Sequence, residues 1–456
     1  MPQPASSRKG VLERVLSLAA EVRPGEGATA VLLAVNVFVL LSAYYTIRPL
    51  RSALLLPVQI ALPGGRVMTG PEIQSYTGAI LAALFLVIVP LYSALASRVD
   101  RMRLINSVTM FFVVTLVAFY FLSQLNLAPT LVAVTFFLWV GVFNLMIIAH
   151  FWSFANDLYT PDQGKRLFAI VGFGGSVGAI GGALIASNLI TRVGLLSMML
   201  IGSGELLIAL VLTNLIHRRE QRRPKAVVDK TEEQPLKGGG GFKLVLSNRY
   251  LLLIGVLTLS VQLVNTNGNY ILNETLARTA RDTIAGTGQS EGQFIGSFMA
   301  GLDFWQNVLS MVIQFFLVSR IFKYLGIGGA LFVMPIISLT SYGIFAFAPV
   351  LAFIRLTKIA ENATDYSLQN TVRRALFLPT SREAKYKALQ AVETFFWRAG
   401  DMLSGVFTFV LIQWLAMSVR GFALVNLAIV LVWLALAASL ARENRRLTAE
   451  AERAAA

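Results

Sequence analysis

The residues best equipped for chemistry lie in one stretch, RLTKIAENATDYSLQNTVRR at 355–374, where Lys358, Glu361, Asp365, Gln369 and Arg373 recur every three or four positions. On an α-helix that spacing puts all five on one face, a continuous stripe of charges of both signs. A later stretch repeats the pattern with Gln390, Glu393, Trp397, Arg398, Asp401 and Ser404, and an earlier one does so with Gln262, Asn265, Asn269 and Asn273. A further group comes from NVFVLLSAYYTIRPLRSALLL, where Arg48 and Arg51 stand three apart around Pro49, with Tyr45 one turn before. Arginine suits an anion, because its planar fork grips phosphate or carboxylate with two hydrogen bonds. Acids beside it balance that charge or take up protons. No spacing resembles a nucleophile–base pair, the chain has no Cys, and its 2 His (His150, His217) cannot build a His-rich metal site. No catalytic residue, metal ligand or cofactor is therefore expected.

The elements that carry these residues are apolar. With 56% hydrophobic and only 14% charged residues, the 456-residue chain is far greasier than a soluble protein. Windows long enough to cross a hydrocarbon core of roughly 30 Å fall at about 28–47, 76–96, 104–123, 130–152, 167–190, 194–216, 250–272, 294–319, 327–347, 349–372, 391–412 and 418–441. This predicts an all-α polytopic membrane protein of about twelve transmembrane helices. A charge at membrane depth costs a few kcal/mol, so the stripes must turn inward, pair, or line water. Two readings stand for them: a wet, cavity-lining face, or an internal ion-pair lattice of Lys358 with Glu361 or Asp365 that holds helices together. Arg48 and Arg51 likewise either snorkel to an interface or, if the first helix runs on past residue 50, face the interior.

The net charge of +15 would point to nucleic acid in a soluble protein. Here most Lys and Arg fall in the N-terminal segment, the even-to-odd loops and the C-terminal tail. That is the positive-inside pattern, placing both termini in the cytoplasm of a bacterial inner-membrane protein and setting basic residues against anionic lipid, with no nucleic-acid partner. The N-terminus lacks the short apolar core and small-residue site of a cleaved signal peptide.

Expected boundaries are a cytoplasmic segment at 1–27 with an amphipathic helix at VLERVLSLAAEV, a six-helix bundle at 28–216, a cytoplasmic linker at 217–249, a second bundle at 250–441 and a tail at 442–456. Six plus six is the organisation of major-facilitator transporters, so the expected fold is major-facilitator-like and monomeric. The halves echo each other: LYTPDQGKRLFAIVGFGG follows the fourth span and LFLPTSREAKYKALQAVE the tenth. Each passes from Leu and an aromatic through Pro to a basic cluster, as a duplication predicts. ASRVDRMRL at 96–104 is similar to the short Asp-Arg-x-x-Arg turn of those transporters. GFGGSVGAIGG at 172–182 lacks the Gly-Lys-Ser/Thr ending of a phosphate loop, and Gly174, Gly178 and Gly182 are spaced for close helix packing in lipid. Glu205 and Asp303 are isolated acids at membrane depth, open to proton relay or to a hydrogen bond with a neighbouring helix.

YSLQNTVRRALFLP followed by KYKALQAVETFFWRAGD, together with YYTIRPLRSALLL, resembles the nucleotide translocases, the ATP/ADP antiporter family of intracellular bacteria and plastids. The resemblance implies substrate-facing cations at Arg48 and Arg51, an acid of the pathway at Glu393 and an anion contact at Arg398. The chain departs from the family at Arg51-Ser52, where the family has Lys-Asp, and at Gly400-Asp401, where it has Gly-Lys. An acid in place of that lysine weakens the grip on a multiply charged phosphate. The expected function is secondary transport of an anionic solute, a nucleotide or other phosphorylated metabolite, by alternating access. Arg48, Arg51, Arg373 and Arg398 would hold the anion. Lys358, Glu361, Asp365, Glu393 and Asp401 would balance charge or couple protons, and Tyr45, Asn265, Asn269, Gln369, Gln390 and Trp397 would line the cavity. The alternatives are a proton-coupled carrier of a neutral, cationic or lipid-like substrate, and a non-transporting scaffold or sensor.

Overall fold

A computed structural model of the chain describes residues 11–17, 20–96, 98–221, 241–284, 288–381 and 383–455. Among them ten helices are long and apolar enough to cross a membrane. They include α2 (Gly27–Leu55), α3 (Gly70–Ala96), α4 (Arg101–Gln124), α5 (Pro129–Leu158), α6 (Pro161–Val193), α7 (Ser197–Gln221) and α9 (Arg249–Ile284). Twelve spans were expected, and the difference lies in two places. The segment Glu291–Phe347 is 57 residues long, far more than one crossing needs at 1.5 Å per residue. It comprises α10 (Glu291–Val312), a π turn and α11 (Val318–Phe347), and its backbone leaves the helical region at Gly326 (φ 65°, ψ 178°). That left-handed φ favours glycine, which adopts it without a Cβ clash. The expected span at 349–372 corresponds to the charged stretch α12 (Leu351–Thr364), a π turn and α13 (Asn370–Ala375), which is not among the ten.

Short helices α1 (Val11–Leu16) and α8 (Gly241–Ser247) flank the spans. The last span region is α14 (Leu389–Ala391), a π turn, α15 (Trp397–Gln413) and α16 (Val419–Ala455). Of the expected linker, 222–240 lies outside the described residues, whereas α7 runs to Gln221 and α8 starts at Gly241. The expected tail continues α16 without a break, because its Ala, Glu and Arg residues are strong helix formers. Of the expected amphipathic helix at 11–22, α1 covers the first part, and 18–19 lie outside the described residues.

The chain forms two compact units, one of residues 1–52, 90–232 and 296–304, the other of 53–89, 233–295 and 305–456. The first is built on α2 and α6. A Cβ on Gly174, Gly178 or Gly182 would strike the carbonyl oxygens of Ala34, Phe38 and Ser42 respectively, so α6 lies against the bare backbone of α2 at every fourth residue. Polar side chains then tie α2 and α4 to α7: Asn36 donates to the Ala209 carbonyl and Thr213, Asn106 and Asn214 exchange amide hydrogen bonds at 3.1 and 2.9 Å, and Ser42 donates to Glu205 at 2.5 Å. At the start of α6, Thr160 and Gln163 form a reciprocal capping box with Pro161 in the first turn, and Arg166 reaches Glu26 with both terminal nitrogens.

In the second unit α9 is the central post. Tyr342 of α11 donates to the Val264 carbonyl, Asn267 donates to Asn426 of α16, and Ser404 of α15 donates to Asn267. A two-stranded antiparallel hairpin, β1 (Gln59–Ala61) with β2 (Val67–Thr69), was not expected from the sequence. It brings Arg66 to 2.7 Å from the buried Glu72, which also accepts from Tyr76 and Gln413.

Candidate functional site

The first unit holds the early arginines. Pro49 has no N–H to give the Tyr45 carbonyl, yet α2 continues through it to Leu55. Both arginines therefore sit on a helix, as one of the two sequence readings required. The Arg48 Nη1 atom lies 3.1 Å from Oδ1 of Asp303 on α10, with side-chain exposures of only 15% and 6%. The Arg48 guanidinium lies 5.4 Å from the Tyr45 ring centre and that of Arg51 5.2 Å from Phe137. Asp303, which the sequence left open between proton relay and hydrogen bonding, is thus the ion-pair partner of Arg48.

The second unit gathers the rest. Lys358 is fully buried; its Nζ lies 3.1 Å from Glu361 Oε2 and donates to Asn265 Oδ1 at 3.0 Å. This pair has the geometry of the internal ion-pair reading. One turn on, the backbone widens into the π turn Asp365–Gln369. Such turns recur at functional sites and shift the register of the residues beyond them. Asp365, Gln369 and Arg373 are all buried. Among the described residues, Glu361 Oε1, Asp365 Oδ1 and Gln369 Oε1 find no protein donor. Arg373 donates to Asn370 at 3.0 Å, and its guanidinium lies 4.6 Å from the centre of the Trp397 ring.

A second π turn, Val392–Phe396, precedes Trp397. Arg398 stacks 4.3 Å from the centre of Phe85, and its Nη1 is 3.5 Å from Asp401 Oδ2. Asp401 also accepts from Gln262 at 2.5 Å and from Thr266 at 3.1 Å. The acid that departs from the translocase pattern is therefore saturated by donors and by its own arginine. Two expected members lie elsewhere: Gln390 is exposed, and Glu393 turns to the exposed Arg374 at 3.4 Å. Asn269 is half-buried on α9, and Asn273 is buried. The sequence did not single out Phe137, Phe85, Thr266 or the Asn362–Gln306 bond of 2.9 Å. Each is an ordinary membrane residue until the fold sets a charge beside it.

Sequence comparison decides what kind of protein carries this arrangement. The profile of the TLC ATP/ADP transporter family matches residues 130–359, just over half of the 456-residue chain. The chain belongs to that family. It is a distant member. ADP,ATP carrier protein 1 of Chlamydia muridarum (strain MoPn / Nigg) is 23% identical over 396 residues, covering 74% of this chain and 69% of that protein. The matched region runs from α5 into α12, so it takes in Asn265, Asp303 and Lys358 but neither early arginine.

Solved structures with this fold include a point mutant of the peptide transporter POT, at TM-score 0.63 and 12% identity over 96% of this chain and 99% of that one. A bacterial homologue of the human lysosomal transporter Spinster, inward-facing and unoccupied, gives 0.58 and 14%, covering 93% and 98%. The nucleoside transporter NupG gives 0.57 and 13%, covering 92% and 99%. At such identities the likeness is one of fold. Family and fold together make the chain a multi-pass membrane transporter of major-facilitator-like architecture, not an enzyme.

Proposed function

We propose that the transporter moves an anionic solute, a nucleotide or other phosphorylated metabolite, by alternating access across a bacterial inner membrane, with both termini in the cytoplasm. The observation that carries this reading is the setting of four arginines, three of them in helices long and apolar enough to cross a membrane. Arg48, Arg51, Arg373 and Arg398 each lay a guanidinium beside an aromatic ring, within 5.4, 5.2, 4.6 and 4.3 Å of its centre. A guanidinium so placed is weakly hydrated and held flat, with donors directed to its rim, the geometry that accepts a phosphate or carboxylate. The name of the Chlamydia relative supports a nucleotide as the class of anion. Asp401 in place of the family's lysine argues for fewer phosphates, because Arg398 already has an acid at 3.5 Å.

Uptake of labelled ATP, ADP, AMP and inorganic phosphate into proteoliposomes tests the reading. Uptake of at least one anion is expected, competed by the others and lost in Arg51→Ala and Arg398→Ala. Uptake that survives both substitutions defeats the site assignment. A second reading, a proton-coupled carrier of a neutral or cationic solute, is favoured by the buried carboxylate oxygens of Glu361 and Asp365 that lack a protein donor. Strong pH dependence without competition by anions would select it.

A further inference from the structure

The Arg48–Asp303 pair differs from the two ion pairs of the charged stripes, and shares with Arg166–Glu26 a partner far away in the chain. Lys358–Glu361 and Arg398–Asp401 each join neighbours three residues apart on one helix. Asp303 reaches Arg48 from another helix, α10, within the first unit, and Arg51 follows Arg48 by three residues on α2. The carboxylate thus takes the place on the Arg48 guanidinium that a bound anion would take. Its side chain is 6% exposed, so the contact is largely desolvated.

We propose that Asp303 is a resident counter-ion that a substrate anion must displace from Arg48, and that it thereby sets the affinity of the site and allows the unloaded carrier to reorient. This rests on the anion-transport reading above. A site occupied by an internal competitor shows an apparent affinity reduced by the fraction of time it is free. Without its carboxylate the Arg48 guanidinium of an unloaded site would carry added charge through a low-dielectric environment, a cost that Asp303 lowers. Asp303 is accordingly a positioning and specificity residue that acts through Arg48, and conversion to an amide keeps its shape while deleting its charge.

The experiment uses the full-length protein in detergent for binding and in proteoliposomes for flux, with ATP, ADP and inorganic pyrophosphate as probes. Asp303→Asn is expected to bind the anion that the wild type carries about tenfold more tightly. Its net uptake into empty vesicles should fall more than its exchange against anion loaded inside, because only net uptake requires the empty carrier to return. Asp303→Glu should restore the wild-type ratio of net uptake to exchange, and Asp303→Asn added to Arg48→Ala should bring no tightening. A merely structural role would change expression or melting without moving that ratio. Unchanged or weaker binding in Asp303→Asn, with the ratio of the two fluxes unmoved, overturns the proposal and leaves anion transport standing. A wild type that binds and carries none of ATP, ADP, AMP, inorganic phosphate and pyrophosphate overturns the transport reading and this inference together.

Discussion

A methyl group placed on Gly178 tests how α2 and α6 are joined. The Cβ of an alanine there would lie 2.7 Å from Phe38 Cα and closer still to that residue's carbonyl oxygen. Carbon atoms settle at about 3.5–4.0 Å, so the helices must separate by about 1 Å. A gap of that size forfeits a quarter to a half of each dispersion contact along the seam, and overpacking of this kind costs about 1–3 kcal/mol. Backbone atoms cannot rotate aside as a flexible side chain would. Gly172 lies nearly two turns earlier on the same helix and has nothing within 4 Å of its Cβ direction. There the added methyl relieves glycine's conformational entropy and is worth about 0.5–1 kcal/mol in favour of the helix. In thermal unfolding of the purified protein, Gly178→Ala should melt several degrees below Gly172→Ala, at about 2–4 °C per kcal/mol. Equal melting temperatures for the two variants would refute the close approach of α6 to the α2 backbone.

Two further outcomes follow from the charged contacts. Lys358→Met removes the partner of a carboxylate that is 2% exposed, and breaking one side of a buried pair costs about 3–5 kcal/mol. The double variant Lys358→Met, Glu361→Gln should be more stable than Lys358→Met alone, and additive losses in melting temperature would contradict the pairing. At Glu26, just before α2, partial burial alone would push the carboxyl pKa up. Hydrogen bonds from Arg166, the Arg23 backbone and Gln163 outweigh it and hold the carboxyl below the usual glutamate range. A carboxyl depressed in the folded state stabilises above its unfolded pKa, about 4.3, and that contribution is lost as pH falls through the folded value. Melting measured from pH 7 down to pH 3 should therefore converge for wild type and Glu26→Gln at the acid end, with the wild type ahead at neutral pH. A gap that widens on acidification would refute this assignment.

The parts of the molecule that could be read from its sequence are those fixed by a local rule. Hydrocarbon thickness sets the length of a span, so the windows at 28–47 and 418–441 marked α2 and α16. Small residues every fourth position set a helix seam, and Gly174, Gly178 and Gly182 lie on one. The hairpin of β1 and β2 has a local sign of its own, Pro63-Gly64-Gly65, with both glycines at positive φ. The π turns had none, since an i→i+5 turn leaves the hydrophobic pattern almost intact while moving the residues beyond it. Pairings were out of reach for a different reason. Asp303 lies 255 positions from Arg48, and a lone acid at membrane depth says only that some partner must exist. All four proposed anion contacts take an ion partner or ring from a separate helix: Arg48 takes Asp303 from α10, Arg51 takes Phe137 from α5, Arg373 takes Trp397 from α15 and Arg398 takes Phe85 from α3. Residue type and depth therefore announce that a charge is present for a purpose, while the choice between a sealed ion pair and an exchangeable one belongs to the helix that supplies the partner. A partner on the same helix, as Glu361 is to Lys358, moves with its cation. One on a separate helix can part from it, which makes Asp303 the acid best placed to give way to a solute.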